Sequence, residues 1–361
     1  MRDKNILIMA GGTGGHVYPA LAVADNLKER GFELFWLGTS KGMEAKVVPN
    51  HGYPLLKINV SGVRGNGLLR LLFTPFMLVI ALFQALMIMI KVRPVVVLGM
   101  GGFASGPGGI AAWLMRIPLL IHEQNAIAGL TNQLLAPFAV SIMAAFPGAF
   151  KDSSKLTITG NPVRNDIVNL PVPEERFANR NTNKLKILIL GGSLGAKKIN
   201  EVIPETLSGL ASDYKFEVKH QCGERHLVDT EAAYKKYNVN VELMPFINDM
   251  AEVYAWADII VCRAGALTIA ELAASGIGSI LIPFPYAVDD HQTENAKYLS
   301  SEGAAILIQE AKLNSEKLKK ILVSLFSAPE ELMQMAVKAR ALSKPTATDD
   351  VAKICMEAIH A

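Results

Sequence analysis

The sequence predicts an α/β protein of two Rossmann-like domains, because one strand–glycine loop–helix pattern opens each half of the chain. In the first half, the apolar run 6–10 leads into Gly11-Gly12-Thr13-Gly14-Gly15. In the second half, the apolar run 187–190 leads into Gly191-Gly192-Ser193-Leu194-Gly195. A glycine loop followed by a helix start presents backbone N–H groups to an anion. We therefore expect two parallel sheets facing a central cleft, with a phosphate-bearing ligand between them.

Further apolar runs of strand length alternate with helical stretches along the chain. They are continuously apolar, which is typical of strands covered on both faces of a parallel sheet. The predicted strands after the first are 34–37, 95–98, 119–122, 141–144, 187–190, 216–219, 259–262 and 280–283. The proline-containing polar segment 160–184 marks the seam between the halves. A terminal helix over 349–359 has an apolar stripe formed by Val351, Ile354, Cys355 and Ile359.

Composition limits the classes of function. Half of the 361 residues are hydrophobic and 19% are charged, which is enough to bury two cores. The mean hydropathy of +0.27 is high for a soluble enzyme and predicts an apolar surface. The net charge of +3 is too small to indicate a nucleic-acid partner, and none is expected. The three cysteines show no C-x-x-C spacing, so we expect a reducing compartment and no zinc site.

An uncharged stretch of twenty residues, 71–90, raises the question of a membrane span. Thr74-Pro75 predicts a helix start, which leaves about sixteen residues over 75–90, roughly 25 Å and somewhat short of a hydrocarbon core. Strands are predicted on both sides, so a crossover helix is expected. Two interpretations stay open, a buried crossover helix and a membrane-surface patch. Four cations that suit anionic lipid head groups flank the stretch: Arg64, Arg70, Lys91 and Arg93.

Missing motifs exclude several enzyme classes. Neither glycine loop has the G-x-G-x-x-G pattern and no acid ends the second strand of either half, which disfavours a nicotinamide oxidoreductase. The absence of Gly-Lys-Ser and Gly-Lys-Thr excludes a P-loop NTPase. Neither D-x-D nor H-E-x-x-H occurs, so no metal and no cofactor are expected. A leaving diphosphate would then be stabilised by backbone donors and helix N-termini.

Polar motifs at predicted strand ends supply the candidate binding residues of the first half. A third glycine stretch, 99–109, follows one strand, and the run 122–125, His-Glu-Gln-Asn, follows the next. Ligands of open parallel sheets bind at the carboxyl ends of strands. For 122–125 the alternative is capping of the following helix, and both interpretations stay open.

The second half repeats the pattern at 263–271, where a small-residue turn opens a helix that contains Glu271. A carboxylate there can accept hydrogen bonds from two vicinal ribose hydroxyls while the turn binds phosphate. The alternative is a surface glutamate placed favourably near a helix N-terminus. The polar loop 289–295 is rich in groups that bind sugar hydroxyls.

Together these motifs closely resemble the MurG family, the N-acetylglucosaminyltransferases that make lipid II from lipid I in bacterial peptidoglycan synthesis. The resemblance is collinear and rests on the segments 11–16, 101–109, 122–125, 160–164, 191–193, 263–271 and 290–292. It implies the two-domain GT-B fold and a metal-independent peripheral enzyme at the cytoplasmic face of the plasma membrane. It also implies inverting transfer of GlcNAc from UDP-GlcNAc to the C4 hydroxyl of MurNAc in lipid I.

By the same resemblance, residues 1–161 form a domain that binds the acceptor and the membrane. Thr13, Gly14, Gly15 and His16 would receive lipid I, helix 75–90 would lie against the bilayer, and the terminal helix 346–361 would pack back on this domain. His16 is the candidate general base, because an imidazole titrates near neutrality, and Glu123 is the second candidate. Positioning of phosphate or acceptor stays open as the alternative role of His16.

The resemblance assigns UDP-GlcNAc to a second domain, 162–345. Glu271 would bind the ribose, and Phe246 and the Ile247 backbone would hold the uracil with Arg164 nearby. The diphosphate would meet Ser193, Ala266, Leu267 and Thr268. The sugar hydroxyls would meet Asn125, His291 and Gln292, although some family members carry two glutamines in place of His291-Gln292.

Three other functions are weighed against this one. The first is a related enzyme of the same nucleotide sugar, such as a 2-epimerase or a glycolipid glucosyltransferase. The second is a membrane-surface sensor of nucleotide sugars, which would bind without turnover. The third is a hydride-transfer enzyme, which lacks the expected acid after both second strands.

Overall fold

A computed structural model describes residues 4–60, 68–178, 184–192 and 195–359 of the chain. The chain divides into two compact units. Unit 1 comprises Met1–Val163 and Pro345–Ala361, and unit 2 comprises Arg164–Lys344.

The secondary structure alternates between strands and helices in both units. The strands are β1 (Asn5–Met9), β2 (Glu33–Gly38), β3 (Leu55–Lys57), β4 (Val96–Gly99), β5 (Leu119–Glu123), β6 (Ser141–Ala144), β7 (Leu156–Ile158), β8 (Leu185–Leu190), β9 (Phe216–Gln221), β10 (Glu242–Met244), β11 (Ile259–Cys262), β12 (Gly278–Leu281) and β13 (Ala305–Leu307). The helices are α1 (Gly14–Glu29), α2 (Glu44–Asn50), α3 (Leu68–Val92), α4 (Ser105–Leu114), α5 (Leu130–Leu135), α6 (Asn165–Val168), α7 (Pro173–Ala178), α8 (Lys197–Ser208), α9 (Leu227–Lys236), α10 (Met250–Trp256), α11 (Ala266–Ser275), α12 (His291–Ser300), α13 (Ser315–Ser327), α14 (Pro329–Ala341) and α15 (Ala347–Glu357). Short 3-10 helices cover Ala136–Phe138, Glu224–His226, Val288–Asp290 and Glu310–Lys312.

Each unit contains one parallel sheet. The strand order is β3-β2-β1-β4-β5-β6-β7 in unit 1 and β10-β9-β8-β11-β12-β13 in unit 2, and every strand pair is parallel. The order reverses between β1 and β4 and again between β8 and β11, and ligands of such sheets bind outside the carboxyl ends of strands at that reversal. The predicted class of two Rossmann-like α/β domains is confirmed.

The predicted strands after the first correspond to β2, β4, β5, β6, β8, β9, β11 and β12. Four strands were not predicted: β3, β7, β10 and β13. Each of the four has three residues and forms an edge of its sheet. A short edge strand lacks a neighbour on one side and needs no continuous apolar run, so the pattern that marks central strands is absent.

Apolar layers cover both faces of the unit 1 sheet. One layer joins α1, α2 and α15, and α15 contributes the fully buried Val351 and Cys355 to it. Ile354 and Ile359 pack partly buried against the same layer. The other layer lies beneath α3 and α4. The stripe along the terminal helix is therefore the surface by which the last residues of the chain pack into unit 1.

Helix α3 differs from its predicted form. It runs over 25 residues from Leu68 and contains Pro75, so the predicted start at Thr74-Pro75 and the sixteen-residue length are wrong. Pro75 is the eighth residue of this helix, where a proline removes one N–H donor and crowds the carbonyl group four residues earlier. By length and composition alone, Thr74–Val92 could cross a membrane. Because β3 and β4 belong to one parallel sheet, α3 is the crossover between them.

The two faces of α3 have different surroundings. Ala81, Ala85 and Met89 are fully buried in the core of unit 1. Phe83 on the outer face is 65% exposed, and Phe76 and Val79 are exposed to a similar extent. A buried crossover helix accounts for the inner face, whereas the outer face is an apolar surface of unit 1.

Candidate functional site

The first glycine loop of unit 1 joins β1 to α1 at the reversal of strand order. Thr13 precedes α1 in extended backbone and its side chain makes no capping hydrogen bond. Its carbonyl accepts the N–H groups of His16 and Val17 at 3.1 and 3.2 Å. The predicted acceptor residues Thr13, Gly14, Gly15 and His16 thus form the exposed turn and the first turn of α1 at the carboxyl end of β1.

The glycine stretch after β4 packs directly on this first loop. Gly101 and Gly102 have positive φ angles of 96° and 91°. A Cβ atom on Gly101 would lie 2.7 Å from His16 Nδ1, and one on Gly102 would lie 2.6 Å from the Gly11 carbonyl oxygen. Both the backbone angle and the close approach therefore require glycine at these two positions.

A buried carboxylate that the sequence analysis missed links the loop after β1 to the loop after β2. Glu44, the first residue of α2, is fully buried. Its Oε2 accepts the N–H of Gly12 at 2.9 Å, and its Oε1 accepts the Thr39 N–H at 2.9 Å and the Thr39 hydroxyl at 2.8 Å. Glu44 thus takes up one N–H that the glycine loop would otherwise offer to an anion. No local pattern marks it, because its partners lie five and 32 residues away.

The polar run 122–125 extends from the end of β5 towards His16. His16 Nδ1 lies 2.8 Å from Gln124 Oε1, Gln124 Nε2 lies 3.0 Å from His122 Nδ1, and His122 Nε2 lies 3.0 Å from the Gly160 carbonyl oxygen. Asn161 donates from Nδ2 to the Gln124 carbonyl at 3.0 Å. Burial lowers the pKa of His122 to about 4, so this imidazole is neutral at physiological pH. The structure therefore joins His16, the run 122–125, Gly160 and Asn161 in one hydrogen-bonded cluster of unit 1.

Glu123, the second candidate base, is buried and engages both carboxylate oxygens. Oε1 accepts the backbone and side-chain N–H groups of Asn125 at 3.0 and 3.2 Å. Oε2 accepts the Gly129 N–H and Asn132 Nδ2, both at 2.9 Å. Gly129 is the residue before α5, so the carboxylate holds the loop and the start of that helix. This geometry gives each oxygen of Glu123 two N–H donors, and it places Asn125 beside Glu123.

In unit 2, Glu271 lies on α11, which begins directly after β11. Its side chain is only 11% exposed. Tyr254 donates its hydroxyl to Oε2 at 2.9 Å, and Arg164 Nη2 lies 3.9 Å from Oε1. Burial raises the pKa of Glu271 to about 7, and the opposing effect of Arg164 is smaller. Sequence reasoning missed Tyr254, because nothing in its own segment marks it as a partner of a carboxylate 17 residues later.

The first turn of α11 is formed by Ala266, Leu267 and Thr268, preceded by Gly265 in extended backbone. The first N–H groups of a helix have no acceptor within that helix, and the helix dipole favours an anion there. Ser193, the other predicted diphosphate ligand, lies outside the described residues.

The remaining predicted residues of unit 2 follow β10 and β12. Phe246 has a half-exposed ring after β10, and the neighbouring Ile247 is buried. Gln292 Oε1 accepts the Phe284 N–H at 2.9 Å, which leaves its amide NH₂ as the group able to donate to a ligand. His291 Nδ1 lies 2.7 Å from the Val288 carbonyl. His291 and Gln292 thus form the first turn of α12.

Comparison with known proteins identifies the family. Residues 6–144 match the glycosyltransferase family 28 N-terminal domain, and residues 186–351 match its C-terminal domain. A Marinobacter nauticus protein named UDP-N-acetylglucosamine--N-acetylmuramyl-(pentapeptide) pyrophosphoryl-undecaprenol N-acetylglucosamine transferase is 50% identical over 357 residues, 99% of this chain and 98% of that protein. The crystal structure of Acinetobacter baumannii MurG is 42% identical, with a TM-score of 0.85 over 98% of this chain and 99% of that chain. The chain belongs to the MurG family.

Similarity to a UDP-GlcNAc 2-epimerase is found in the fold but hardly in the sequence. The structure of a UDP-GlcNAc 2-epimerase from Neisseria meningitidis bound to UDP-GlcNAc has a TM-score of 0.68 and 14% identity, over 98% of this chain and 100% of that chain. Such a likeness shows a shared fold alone. Membership of the MurG family therefore rests on relatives that are about 50% identical to this chain over nearly its full length.

The described residues of this MurG-family chain also bear on metal binding. Within them, no group of three or more His, Cys, Asp or Glu side chains is placed to hold a metal ion.

Proposed function

We propose that this MurG-family glycosyltransferase transfers GlcNAc from UDP-GlcNAc to the C4 hydroxyl of MurNAc in undecaprenyl-diphospho-MurNAc-pentapeptide. The acceptor is lipid I and the product is lipid II, an intermediate of peptidoglycan synthesis. The observation that carries the proposal is identity of about 50% over nearly the full length of a transferase named for these substrates.

Unit 2 binds the donor in this proposal. The Glu271 carboxylate accepts hydrogen bonds from the two ribose hydroxyls, and Tyr254 and Arg164 hold it in place. Phe246 and the Ile247 backbone bind the uracil. The diphosphate lies at Ser193 and at the first turn of α11, 266–268, where the helix dipole stabilises the leaving UDP without a metal ion.

The sugar hydroxyls are bound by Asn125, His291 and Gln292. The support for Gln292 is its orientation, since the backbone N–H of Phe284 occupies its carbonyl oxygen and its NH₂ can donate to a hydroxyl oxygen. An amide NH₂ and an imidazole are both suited to such oxygens.

Unit 1 binds the acceptor, through Thr13, Gly14, Gly15 and His16. His16 takes the proton of the C4 hydroxyl as that oxygen forms a bond to the anomeric carbon. The bond from the anomeric carbon to UDP breaks, UDP leaves with the electron pair, and the configuration inverts. His16 is favoured for this role because it is half-buried in the first turn of α1. Glu123 is buried and both of its oxygens accept hydrogen bonds within unit 1.

The enzyme is peripheral to the plasma membrane and acts at its cytoplasmic face. The outer face of α3 rests in an anionic bilayer surface, and the exposed cations Lys91 and Arg93 at its end meet lipid head groups. Apolar side chains beside cations suit a lipid surface, and no nucleic acid is a partner.

The reaction is tested with radiolabelled UDP-GlcNAc and a lipid I analogue in the presence of EDTA. We expect labelled lipid II analogue and free UDP. Glu271→Ala should raise the KM for UDP-GlcNAc at least about tenfold, because the ribose hydroxyls lose a charged acceptor, while the exposed control Glu252→Ala should not. An absolute requirement for a divalent metal would contradict the metal-free mechanism. Formation of ManNAc and UDP without acceptor would instead indicate an epimerase.

A further inference from the structure

The backbone carbonyl oxygens of Gly160 and His122 fix the positions of the protons in the cluster around His16. The Gly160 carbonyl oxygen faces His122 Nε2 at 3.0 Å. The His122 carbonyl oxygen faces the Gln124 amide nitrogen at 3.2 Å. A carbonyl oxygen has no proton to give, so both nitrogens must be donors.

The protons on the side chains of His122, Gln124 and His16 can then be assigned one after another. Since His122 is neutral and its Nε2 carries the proton, its Nδ1 is an acceptor. Gln124 Nε2 donates to that Nδ1 at 3.0 Å, and this orients Gln124 Oε1 towards His16. Gln124 Oε1 lies 2.8 Å from His16 Nδ1 and can only accept, so His16 Nδ1 carries a proton.

We propose that the hydrogen-bonded chain from Gly160 through His122 and Gln124 holds neutral His16 as the Nδ1–H tautomer, with the lone pair on Nε2. Gln124 and His122 are then positioning residues for the proton transfer. The catalytic part of this inference rests on the proposed function, in which His16 is the base, whereas the tautomer is a property of the free protein.

This hydrogen-bonded chain can hold one tautomer because its side chains between Gly160 and His16 are shielded from solvent. His122 is fully buried and Gln124 is nearly so, and a buried donor or acceptor without a partner is costly. Reversing the Gln124 amide would place its oxygen against the His122 carbonyl and against the Nδ1 lone pair. When His16 takes the acceptor proton on Nε2, the Nδ1–H bond to Gln124 Oε1 remains and stabilises the imidazolium.

The tautomer is measured on the full chain labelled with ¹⁵N-histidine, by two-bond ¹H–¹⁵N correlation at pH 8.5 without substrate. His16→Asn identifies the His16 signals by their loss. We expect His16 with a protonated Nδ1 and an unprotonated Nε2. His220 is an internal control, because Asn200 Nδ2 donates to the Cys222 carbonyl, and so Asn200 Oδ1 must accept a proton from His220 Nε2. His220 should therefore show the opposite tautomer.

Variants of Gln124 connect the tautomer to catalysis. Gln124→Met keeps the side-chain length but removes the hydrogen bonds of the amide to His16 Nδ1, His122 Nδ1 and the His122 carbonyl. His16 should then lose its preference for Nδ1–H. The kcat of GlcNAc transfer should then fall about tenfold, the effect of one lost hydrogen bond, with the KM for UDP-GlcNAc unchanged. Gln124→Glu keeps an acceptor oxygen towards His16, and a proton taken up between its second oxygen and His122 Nδ1 replaces the lost amide donor. The Nδ1–H signature should therefore persist and kcat should exceed that of Gln124→Met.

Gln133→Met is the matched control. Gln133 lies on α5 and donates to the Ala128 carbonyl, which is not part of the hydrogen-bonded chain from Gly160 to His16. It should change neither the His16 signature nor kcat. An Nε2–H tautomer of His16 in the unmodified protein would overturn the inference at any level of activity. So would an unchanged His16 signature in Gln124→Met. If the expected histidine signals are found but the protein shows no transferase activity, the tautomer is supported and only the proposed function is contradicted.

Discussion

Two buried carboxylates, Glu44 in unit 1 and Glu271 in unit 2, have different hydrogen-bonding environments. Glu44 accepts backbone N–H groups of Gly12 and Thr39 on its two oxygens. Glu271 accepts one hydroxyl, from Tyr254, and its nearest cation lies 3.9 Å away. A carboxylate with few donors is costly to ionise inside a protein. Glu271 is thus held at a cost in stability, as expected for a group whose partner is a ligand.

The first prediction concerns the stability cost of Glu271. Because its pKa is about 7 in the folded chain and 4.5 is its ordinary value, the folded chain retains a proton between these pH values that the unfolded chain has lost. Stability therefore falls as pH rises from 4.5 to 7. Glu271→Gln should remove this loss and raise the free energy of unfolding at pH 8 by up to about 3 kcal/mol.

The measurement is denaturant unfolding at pH 8 and pH 4. The gain should vanish at pH 4, where the carboxyl group is neutral in both states. The exposed control Glu252→Gln should change stability little at either pH. Equal gains at both pH values would show that ionisation of Glu271 is not the cause.

The same pKa predicts pH-dependent donor binding. A protonated Glu271 accepts ribose hydroxyls more weakly than the carboxylate does. The affinity for UDP-GlcNAc should therefore decrease as pH falls from 8 to 6, through the pKa of about 7. Calorimetric titration with the unmodified chain and with Glu271→Gln checks this, since the variant should lose the pH dependence that belongs to this group.

Glu44 leads to a prediction for the acceptor side. Glu44→Gln places an NH₂ group against backbone N–H donors, so one buried hydrogen bond is lost. We expect the free energy of unfolding to fall by about 1–3 kcal/mol. The KM for a lipid I analogue should rise while that for UDP-GlcNAc stays unchanged, because Glu44 holds Gly12 in unit 1. The exposed control Glu33→Gln should have neither effect, and a rise in the donor KM would contradict a role limited to the acceptor loop.

At the scale of elements, α3 shows how one helix can pack in a core and still present an apolar surface. Its fully buried side chains among the described residues are small or flexible, namely Ala81, Ala85 and Met89, which lets the helix lie close to α4. Its outer residues include the large Phe76 and Phe83. Large exposed apolar side chains of this density mark an interaction surface rather than an ordinary solvent-facing one.

The prediction for α3 is that its outer face binds anionic membranes. Val79→Ser with Phe83→Ser should lower the partition onto phosphatidylglycerol-containing vesicles by on the order of tenfold, because apolar area no longer enters the bilayer surface. Vesicle co-sedimentation measures this. The control is Val228→Ser on α9, since Val228 is 78% exposed but belongs to unit 2. An equal loss of partition in the control would contradict a specific role of α3.

At the scale of the whole molecule, the last residues of the chain complete the core of its first unit. Val351 is fully buried in the layer with α1. Val351→Ala should lower the free energy of unfolding by about 1–3 kcal/mol. Hydrogen exchange should show the lost protection in unit 1, including α1, rather than in unit 2. Lys353→Ala, on the exposed face of α15, is the control and should change stability by less than about 0.5 kcal/mol.

A structural feature is predictable from the sequence when it depends on residues close together in the chain. The runs 187–190 and 259–262 predicted central strands correctly, because a strand covered on both faces must be apolar throughout. The start of α3 was predicted incorrectly, because the local signal at Thr74-Pro75 lies inside a helix that begins at Leu68. Edge strands such as β3 carry no such signal. The run 122–125 was correctly expected at the end of a predicted strand, whereas Phe246 follows β10, a strand that was not predicted.

The amino-acid sequence by itself determined the class of fold, the family and the residues at the ends of the strands, since apolar periodicity and glycine loops are properties of contiguous segments. Only the tertiary structure decided which partners those residues have. His16 meets Gln124 across 108 residues, and the Gly12 N–H meets Glu44 across 32. The physical reason is that a hydrogen bond depends on the distance and direction between two atoms, and folding alone brings such distant atoms together.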